Sequence, residues 1–253
     1  MVTESSLIAD PASESFQHPK SGITMIRIPS GTFLMGGKIG DERPRRFVVI
    51  PRPFYLGKYP VSVREYLRMP KSEIMVNRKR GMQSGLKTDR PMDADQDAEY
   101  PMAGISWQGA REYCLWAGLR LPSEAEWEYA CCAGSRASYC FGDSEESLIH
   151  YGWYSKNAGG RIRPVGRLWP NAWGLHDMHG NVWEWCEDDY WPTYGCTPVD
   201  GSACRNGQAE ERRVIRGGAW FVEAYYCRSR TRMFAEASGE WESVGFRGAA
   251  SIP

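Results

Sequence analysis

The spacing of apolar residues predicts a helix between Ser106 and Gly118. In the segment SWQGAREYCLWAG, apolar side chains recur at i, i+3, i+4 and i+7 and so share one helical face: Ala110, Tyr113, Cys114 and Ala117. Ser106 is suited to cap the first turn, and Gly118 to end the last one. We expect this face to belong to the core.

The next segment, PSEAEWEYACCAG, repeats the same design. Ser123 and Glu126 have the spacing of a capping box, in which each side chain accepts a hydrogen bond from the backbone N–H of the other residue. Three apolar residues are expected to face inward: Trp127, Ala130 and Cys131. The pattern therefore predicts a second core helix.

Short extended segments surround these helices. MIRIPSGTFLMGG alternates around Ile26 and Ile28, turns at Ser30-Gly31 and resumes its apolar run, which predicts a hairpin. RRFVVIPRPFYLGKYPVS is a second extended pair broken by prolines, and a capping box of Ser62 with Glu65 begins a short helix. Eleven Trp and thirteen Tyr among many Gly and Pro also favour short elements joined by turns. We predict an α+β domain with short strands, two core helices and much irregular structure.

The domain boundaries follow from polarity. Residues 1–20 are polar and are predicted to form a disordered tail, and residues 21–253 a single domain. Within it, residues 70–100 are highly charged, poor in aromatic rings and without a period. This stretch is expected to be a solvated loop or insertion.

Charge and composition exclude several classes of partner. Thirty-one basic and thirty-one acidic residues cancel, so we expect no nucleic-acid partner. No segment approaches the roughly 20 apolar residues of a membrane span, and the first 22 residues lack a signal-peptide run. We therefore expect a cytoplasmic protein with reduced cysteines and no membrane partner. No cysteine or histidine spacing predicts a structural zinc site, and the oligomeric state is left open.

Five ordered motifs carry a resemblance to a known family. They are GTFLMGG, RLPSEAEWEYACCAG, NAWGLHDMHGNVWEWCEDDY, RVIRGGAW and VGFRGAAS. In order and spacing they resemble the formylglycine-generating enzyme (sulfatase-modifying factor) family, from about residue 22 to the end. The resemblance implies one compact variant of the C-type lectin fold. That fold includes oxygen-using enzymes, ergothioneine-type sulfoxide synthases and the ligand-binding variable proteins of diversity-generating retroelements, so it does not by itself fix a function.

The resemblance also supplies a test for copper. In formylglycine-generating enzymes, the segment after RGG carries a Ser and two cysteines five residues apart, and two thiolates can hold Cu(I). Here those positions are Ala219, Val222 and Cys227, followed by Arg228. Valine cannot bind copper, so copper is not expected, and Cys227 also fits a small buried apolar residue. Cys186 is the nearest candidate for a replacement ligand. Cys227 and Arg228 are the catalytic candidates if the protein is an enzyme.

The resemblance implies a structural calcium site in HDMHGNVWEW. Matched to the family's second calcium loop, its ligands are the side chains of Asp177 and Glu184 and the carbonyls of Gly180 and Val182. Hard oxygen donors in a tight turn suit Ca²⁺. In the alternative, the two carboxylates accept hydrogen bonds from backbone amides and arginines in a dry loop. No HxxxHxE iron motif of the ergothioneine type is present.

The last candidate is a surface rich in rings between residues 220 and 241, here termed the aromatic face. It comprises Trp220, Phe221, Val222, Glu223, Tyr225, Tyr226, Arg230, Thr231, Met233, Phe234, Glu236 and Trp241. Rigid rings give contact area at low entropic cost, and the resemblance to retroelement variable proteins places their diversified segment here. In the alternative, half of the rings are core, with Trp220 and Tyr226 inside.

Four arginines are expected to support the fold by pairing with the acidic run EWCEDD: Arg216, Arg228, Arg232 and Arg247. Two functions remain open. One is a binding domain for a protein or peptide ligand, and the other is a metal-dependent oxidase or oxygenase with a non-standard metal site that acts on a cysteine or peptide. Ala219 and Val222 favour the first, because each lacks a group that the oxidation requires.

Overall fold

Ten short strands form three sheets in the computed structural model, which describes residues 14–70, 97–205 and 211–252. The first sheet has the order β1-β2-β5-β10, with β1 Ser15–Gln17, β2 Thr24–Ile28, β5 Phe54–Gly57 and β10 Ala249–Ser251. The second is the pair β3 Gly31–Met35 and β4 Arg46–Ile50. The third has the order β8-β7-β6-β9, with β6 Trp183–Asp189, β7 Arg212–Arg216, β8 Arg232–Glu236 and β9 Val244–Gly245. Only the pairing of β6 with β9 is parallel within the described residues.

Three α-helices occur in the same residues: α1 Val63–Tyr66, α2 Trp107–Ala117 and α3 Glu124–Cys132. Both predicted capping boxes are present, at the starts of α1 and α3. Ser106 caps α2, and Gly118 ends it in the left-handed conformation, as the sequence predicted. No described helix has the length and apolarity to cross a membrane.

The predicted hairpin between β2 and β3 is wrong. Ile26 and Ile28 of β2 pair with Leu56 and Phe54 of β5, whereas β3 pairs with β4. The turn at Ser30-Gly31 moves the chain from one sheet to another, and alternation alone cannot identify the neighbour of a strand. The sequence did predict the extended state of all four strands.

The tail and the insertion were assigned only from polarity. Residues 15–17, inside the expected tail of residues 1–20, form β1 and pair with β2, because the edge of β2 accepts a further strand. Residues 1–13 and 71–96 lie outside the described residues, so the rest of the tail and most of the 70–100 insertion stay predictions.

The core lies on both faces of β6. On one face of β6, Trp183 and Trp185 pack in a hydrophobic cluster that also contains the buried face of α2. On the other side, Cys186 packs with α3, and the Trp127 indole Nε1 donates to the Glu184 carboxylate at 2.8 Å. The period of two in a strand thus sends alternate side chains to two separate clusters. The loops that follow β6 and β7 are therefore anchored at strands whose side chains are buried in the core.

Candidate functional site

The loop that carries half of the aromatic face begins with two glycines after β7. Gly217 and Gly218 have φ of +101° and +83°, in the left-handed region that favours glycine. At Gly218 a β-carbon would lie 2.6 Å from the Cys227 sulfur, so only glycine leaves room for the returning chain. The loop closes through a 3-10 turn, Ala224–Cys227, and the Trp220 amide donates to the Asn181 carbonyl at 2.9 Å.

Most rings of the aromatic face are exposed. Six of the fourteen exposed large apolar side chains in the described residues belong to it: Phe221, Tyr225, Tyr226, Met233, Phe234 and Trp241. Tyr226 is 40% exposed, so its predicted alternative as a core residue is wrong. Trp220 is half-buried and packs against a small cluster that includes Val182, which agrees in part with that alternative. Glu223 and Glu236 are exposed as well.

Three polar members of the region hold the loop in place. Arg230 donates from Nη1 to the Ala137 carbonyl at 2.7 Å, and Thr231 is buried and donates to the Tyr225 carbonyl at 3.1 Å. Arg228 pairs with Glu42 at 2.7 Å and lies 4.0 Å from the centre of the Tyr225 ring. The side chains of Arg230 and Thr231 therefore hold the backbone of this region in place, although the sequence placed both residues among the contact residues of the aromatic face.

An apolar groove of about 300 Å³ borders the second part of the face. Phe234 and Trp241 line it together with residues that the sequence did not predict: Trp183, Ile215, Ala235, Ser243 and Val244. These residues come from four strands and the segment before β9. Only the pairing of β6 with both β7 and β9 brings them together, and no local pattern signals that arrangement.

The positions of the family's cysteine pair are apolar here. Ala219 and Cys227 are fully buried, and Val222 packs half-buried between two core clusters. Burial raises the pKa of the Cys227 thiol, which disfavours the thiolate that binds a metal. Cys186 is also buried, in a different cluster from Cys227, and burial raises its pKa too. The described residues contain no group of three or more His, Cys, Asp or Glu side chains suited to a metal ion.

His179 fixes the end of the loop from inside. Its Nδ1 lies 2.8 Å from the Cys227 carbonyl oxygen, and its Nε2 lies 3.2 Å from the Cys140 amide nitrogen. A neutral ring with the proton on Nδ1 satisfies both contacts, because Nε2 then accepts. Burial lowers the pKa of His179 to about 4, which keeps the ring neutral.

Two residues of the turn expected to bind calcium lie in the left-handed region of backbone conformation. Asp177 has φ of +58° and Gly180 of +126°, and burial raises the pKa of the Asp177 carboxyl to about 6. Asp177 accepts a hydrogen bond from the Gly166 amide at 2.7 Å. Glu184 accepts from both Nε and Nη2 of Arg247 at 2.6 Å, in addition to the Trp127 indole.

The donor set of this turn fits calcium in part. Both carboxylates also make the hydrogen bonds expected if no calcium is bound: Asp177 with a backbone amide and Glu184 with an arginine. A carboxylate offers about four acceptor positions, of which three are used on Glu184. One acceptor position on Glu184 therefore remains unoccupied by these three donors.

Buried ion pairs support the site, although mostly not as predicted. Of the four predicted arginines, only Arg247 pairs with the acidic run EWCEDD in the described residues, through Glu184. Three arginines that the sequence did not single out also pair with this run: Arg213 with Asp189, and Arg205 and Arg111 with Glu187. Arg216 pairs with Glu128, and Arg232 pairs with Glu124 at 2.7 Å, so both arginines join β7 and β8 to α3. These two arginines do not pair with the acidic run because Glu124 and Glu128 of α3 are buried against the third sheet and pair with them instead. From the sequence, α3 was expected to bury only apolar side chains.

Comparison with known proteins identifies the family. A model of the sulfatase-modifying factor enzyme 1-like domain matches residues 11–252. The chain is 30% identical to the formylglycine-generating enzyme of Streptomyces coelicolor over 287 residues, which covers 90% of each protein. It is 27% identical to the inactive C-alpha-formylglycine-generating enzyme 2 of Bos taurus, covering 89% of this chain and 87% of that protein. It is also 31% identical to the serine/threonine-protein kinase pkn1 of Chlamydia caviae. That match covers 78% of this chain but only 33% of the kinase.

Solved structures agree on the fold. PvdO from Pseudomonas aeruginosa superposes with a TM-score of 0.79 at 28% identity, over 96% of this chain and 99% of PvdO. Variable protein 1 of Treponema denticola superposes with a TM-score of 0.77 at 20% identity, over 94% and 99% of the two chains, which supports the C-type lectin-like fold alone. Because the family model matches nearly the whole chain, this protein belongs to the formylglycine-generating enzyme (sulfatase-modifying factor) family.

Proposed function

We propose that this chain is a peptide- or protein-binding domain of its family, and that it binds through the aromatic face and the adjoining apolar groove. The proposal rests on the six exposed large apolar side chains within residues 221–241 and on the groove of about 300 Å³ that two of them, Phe234 and Trp241, line. Soluble proteins seldom expose contiguous apolar surface unless it meets a partner.

The edge position of β8 suggests how a peptide would bind. In the described residues β8 pairs only with β7, and the Ala237 amide donates to the Glu211 carbonyl at 2.7 Å. Continuing this register along β8, the main-chain groups of Phe234 and Glu236 point away from β7, and of these the Glu236 carbonyl already accepts from the Gly239 amide at 2.9 Å. An extended peptide can add to such an edge while one of its apolar side chains enters the groove.

The family comparisons are compatible with a binding role. The relative from Bos taurus is named an inactive enzyme, and the fold neighbour from Treponema denticola is named a variable protein. Val222 and the buried Cys227 further favour binding over copper-dependent oxidation. A cytoplasmic location and a calcium ion at Asp177, Gly180, Val182 and Glu184 remain part of the proposal.

The test is a selection from a random peptide library on the immobilised chain, followed by affinity measurements on four variants. Phe234→Ser and Trp241→Ser should each weaken the selected peptides about 10-fold or more, since a buried aromatic anchor contributes at least about 1.4 kcal/mol. Phe47→Ser and Trp169→Ser are matched controls, because both residues are exposed apolar residues outside the face. Equal affinity in all four variants would refute this binding site.

A copper titration separates the binding domain from the oxidase. The reduced protein is titrated with Cu(I) in competition with a chromophoric chelator, beside a Cys227→Ser variant. We expect the unmodified protein and the variant to bind Cu(I) alike, because the Cys227 thiol is buried and the position of the family's other cysteine is Val222. Tight binding that disappears in the variant would favour the oxidase instead.

A further inference from the structure

A polar cavity of about 350 Å³ lies between β2, α1 and the loop around Gly166. It shares no residue with the aromatic face or the apolar groove. Its volume is at the lower end of the range of about 300–1,000 Å³ that is usual for small-molecule pockets. The cavity is lined by Gln17, Gly22, Thr24, Tyr59, Ser62, Arg64, Glu65, Arg68, Glu99, Val165, Gly166 and Arg167.

Three arginines and two glutamates face this cavity, and the glutamates are engaged by other groups. Glu99 pairs with Arg64 at 2.7 Å. Glu65 accepts hydrogen bonds from both the backbone N–H and the hydroxyl of Ser62, each at 2.8 Å. Burial raises the pKa of the Glu65 carboxyl, which weakens it further as a counter-ion, although the nearby Arg68 acts in the opposite direction.

Two guanidinium groups therefore remain for a ligand. Among the described residues, Arg68 and Arg167 take part in no side-chain hydrogen bond or salt bridge, although Arg68 is close enough to Glu65 to affect the pKa of that carboxyl. Counting Arg64, Arg68 and Arg167 against Glu65 and Glu99, the lining carries one excess positive charge. All three arginines are exposed, so the cavity is accessible from solvent, and its net positive charge attracts an anion.

Two glycines fix the groups that would contact the anion. Gly22 has φ of +76°, and a β-carbon there would lie 2.4 Å from Cζ of Arg68, so the guanidinium rests directly on the glycine backbone. Gly166 has φ of +70°, and a β-carbon there would lie 2.4 Å from the Tyr59 ring. The wall of the cavity is thus shaped to hold one guanidinium and one phenol ring, which reduces the ordering cost on binding.

We propose that this cavity binds a small organic anion through its carboxylate or phosphate oxygens, held by Arg68 and Arg167. A guanidinium presents paired donors that match both kinds of oxyanion. Thr24 and Tyr59 line the same cavity and carry hydroxyl groups that can donate to further ligand oxygens. The site is independent of peptide binding at the aromatic face.

The experiment is isothermal titration of the full chain with inorganic phosphate, glycerol 3-phosphate and succinate at constant ionic strength. We expect saturable one-to-one binding of a phosphate or of the dicarboxylate, and which probe binds identifies the ligand class. Arg68→Gln and Arg167→Gln should each weaken that binding about 10-fold or more, as expected for loss of a charged hydrogen bond. Arg52→Gln, at an exposed arginine outside the cavity, should leave it unchanged.

The result has clear alternatives. Failure of all three probes to saturate, or equal weakening in Arg52→Gln, would overturn the anion site. A cooperative thermal unfolding transition shows that each variant is folded. If Arg68→Gln does not fold, Arg167→Gln alone tests the anion site. Peptides selected on the aromatic face should bind Arg68→Gln as they bind the unmodified chain, so failure of one proposal leaves the other intact.

Discussion

Acid should destabilise this protein through His179. The ring is 1% exposed, and its Nε2 accepts the Cys140 amide while its Nδ1–H donates to the Cys227 carbonyl. Protonation would place a charge in an apolar cluster and would remove the acceptor of the Cys140 amide. The folded state therefore disfavours the imidazolium.

The size of the effect follows from the two pKa values. Burial lowers the pKa of His179 from its usual 6.5 to about 4. Between these values the unfolded chain binds a proton that the folded chain does not, so stability falls as the pH falls. The contribution is fully present above pH 6.5 and is lost towards pH 4. The difference between the two pKa values corresponds to about 3 kcal/mol of unfolding free energy.

The assay compares urea unfolding of the unmodified chain and a His179→Gln variant, followed by tryptophan fluorescence under reducing conditions. The stability difference between them should grow by about 3 kcal/mol from about pH 4 to about pH 7. Asp177 and Asp188, whose pKa values burial raises to about 6 and about 8, act with the opposite sign but are present in both proteins. The exposed His150, replaced by Gln, controls for the loss of a histidine. A difference that does not change with pH would refute the reasoning.

Two further predictions concern the turn around Asp177 and Glu184. Arg247→Met should lower the free energy of unfolding by about 3–5 kcal/mol in urea titrations, because it leaves the buried Glu184 unpaired, and adding Glu184→Gln should recover part of the loss. Arg27→Met, which breaks the exposed pair with Glu14, should cost no more than about 1 kcal/mol, and equal losses would contradict the argument. Calcium in place of a chelator should raise the unfolding midpoint by a few degrees, because a ligand that binds only the folded state stabilises it. Asp177→Asn should abolish that rise while Asp143→Asn retains it, and a midpoint that does not respond to calcium would remove the calcium proposal.

Local elements of the fold could be predicted because their determinants are close in sequence. The capping boxes of Ser62 with Glu65 and Ser123 with Glu126 act within a single turn, and both occur in the structure. The inner face of α2 is buried as its spacing of three and four residues indicated. Such features depend on neighbours a few residues away, which a single sequence displays directly.

Long-range pairing was beyond the same reasoning. Glu124 and Glu128 are buried in α3 because Arg232 and Arg216 reach them from strands about a hundred residues later in the chain. The neighbour of β2 and the composition of the apolar groove depend on strand order in the same way. In the candidate site, the density of rings in the sequence indicated the segment but left open which rings are exposed, and neither the groove nor the arginine cavity could be predicted.

The ion pairs of Arg216 and Arg232 have a consequence for evolution. They attach β7 and β8 to α3, so the supports of the loop between the two strands are independent of the loop's exposed side chains. Exchanging an exposed ring such as Phe221 or Tyr226 leaves every one of these pairs in place, and surface substitutions of that kind usually change stability by only about 0.5 kcal/mol. Selection can therefore change the exposed side chains of the loop with little loss of folded protein.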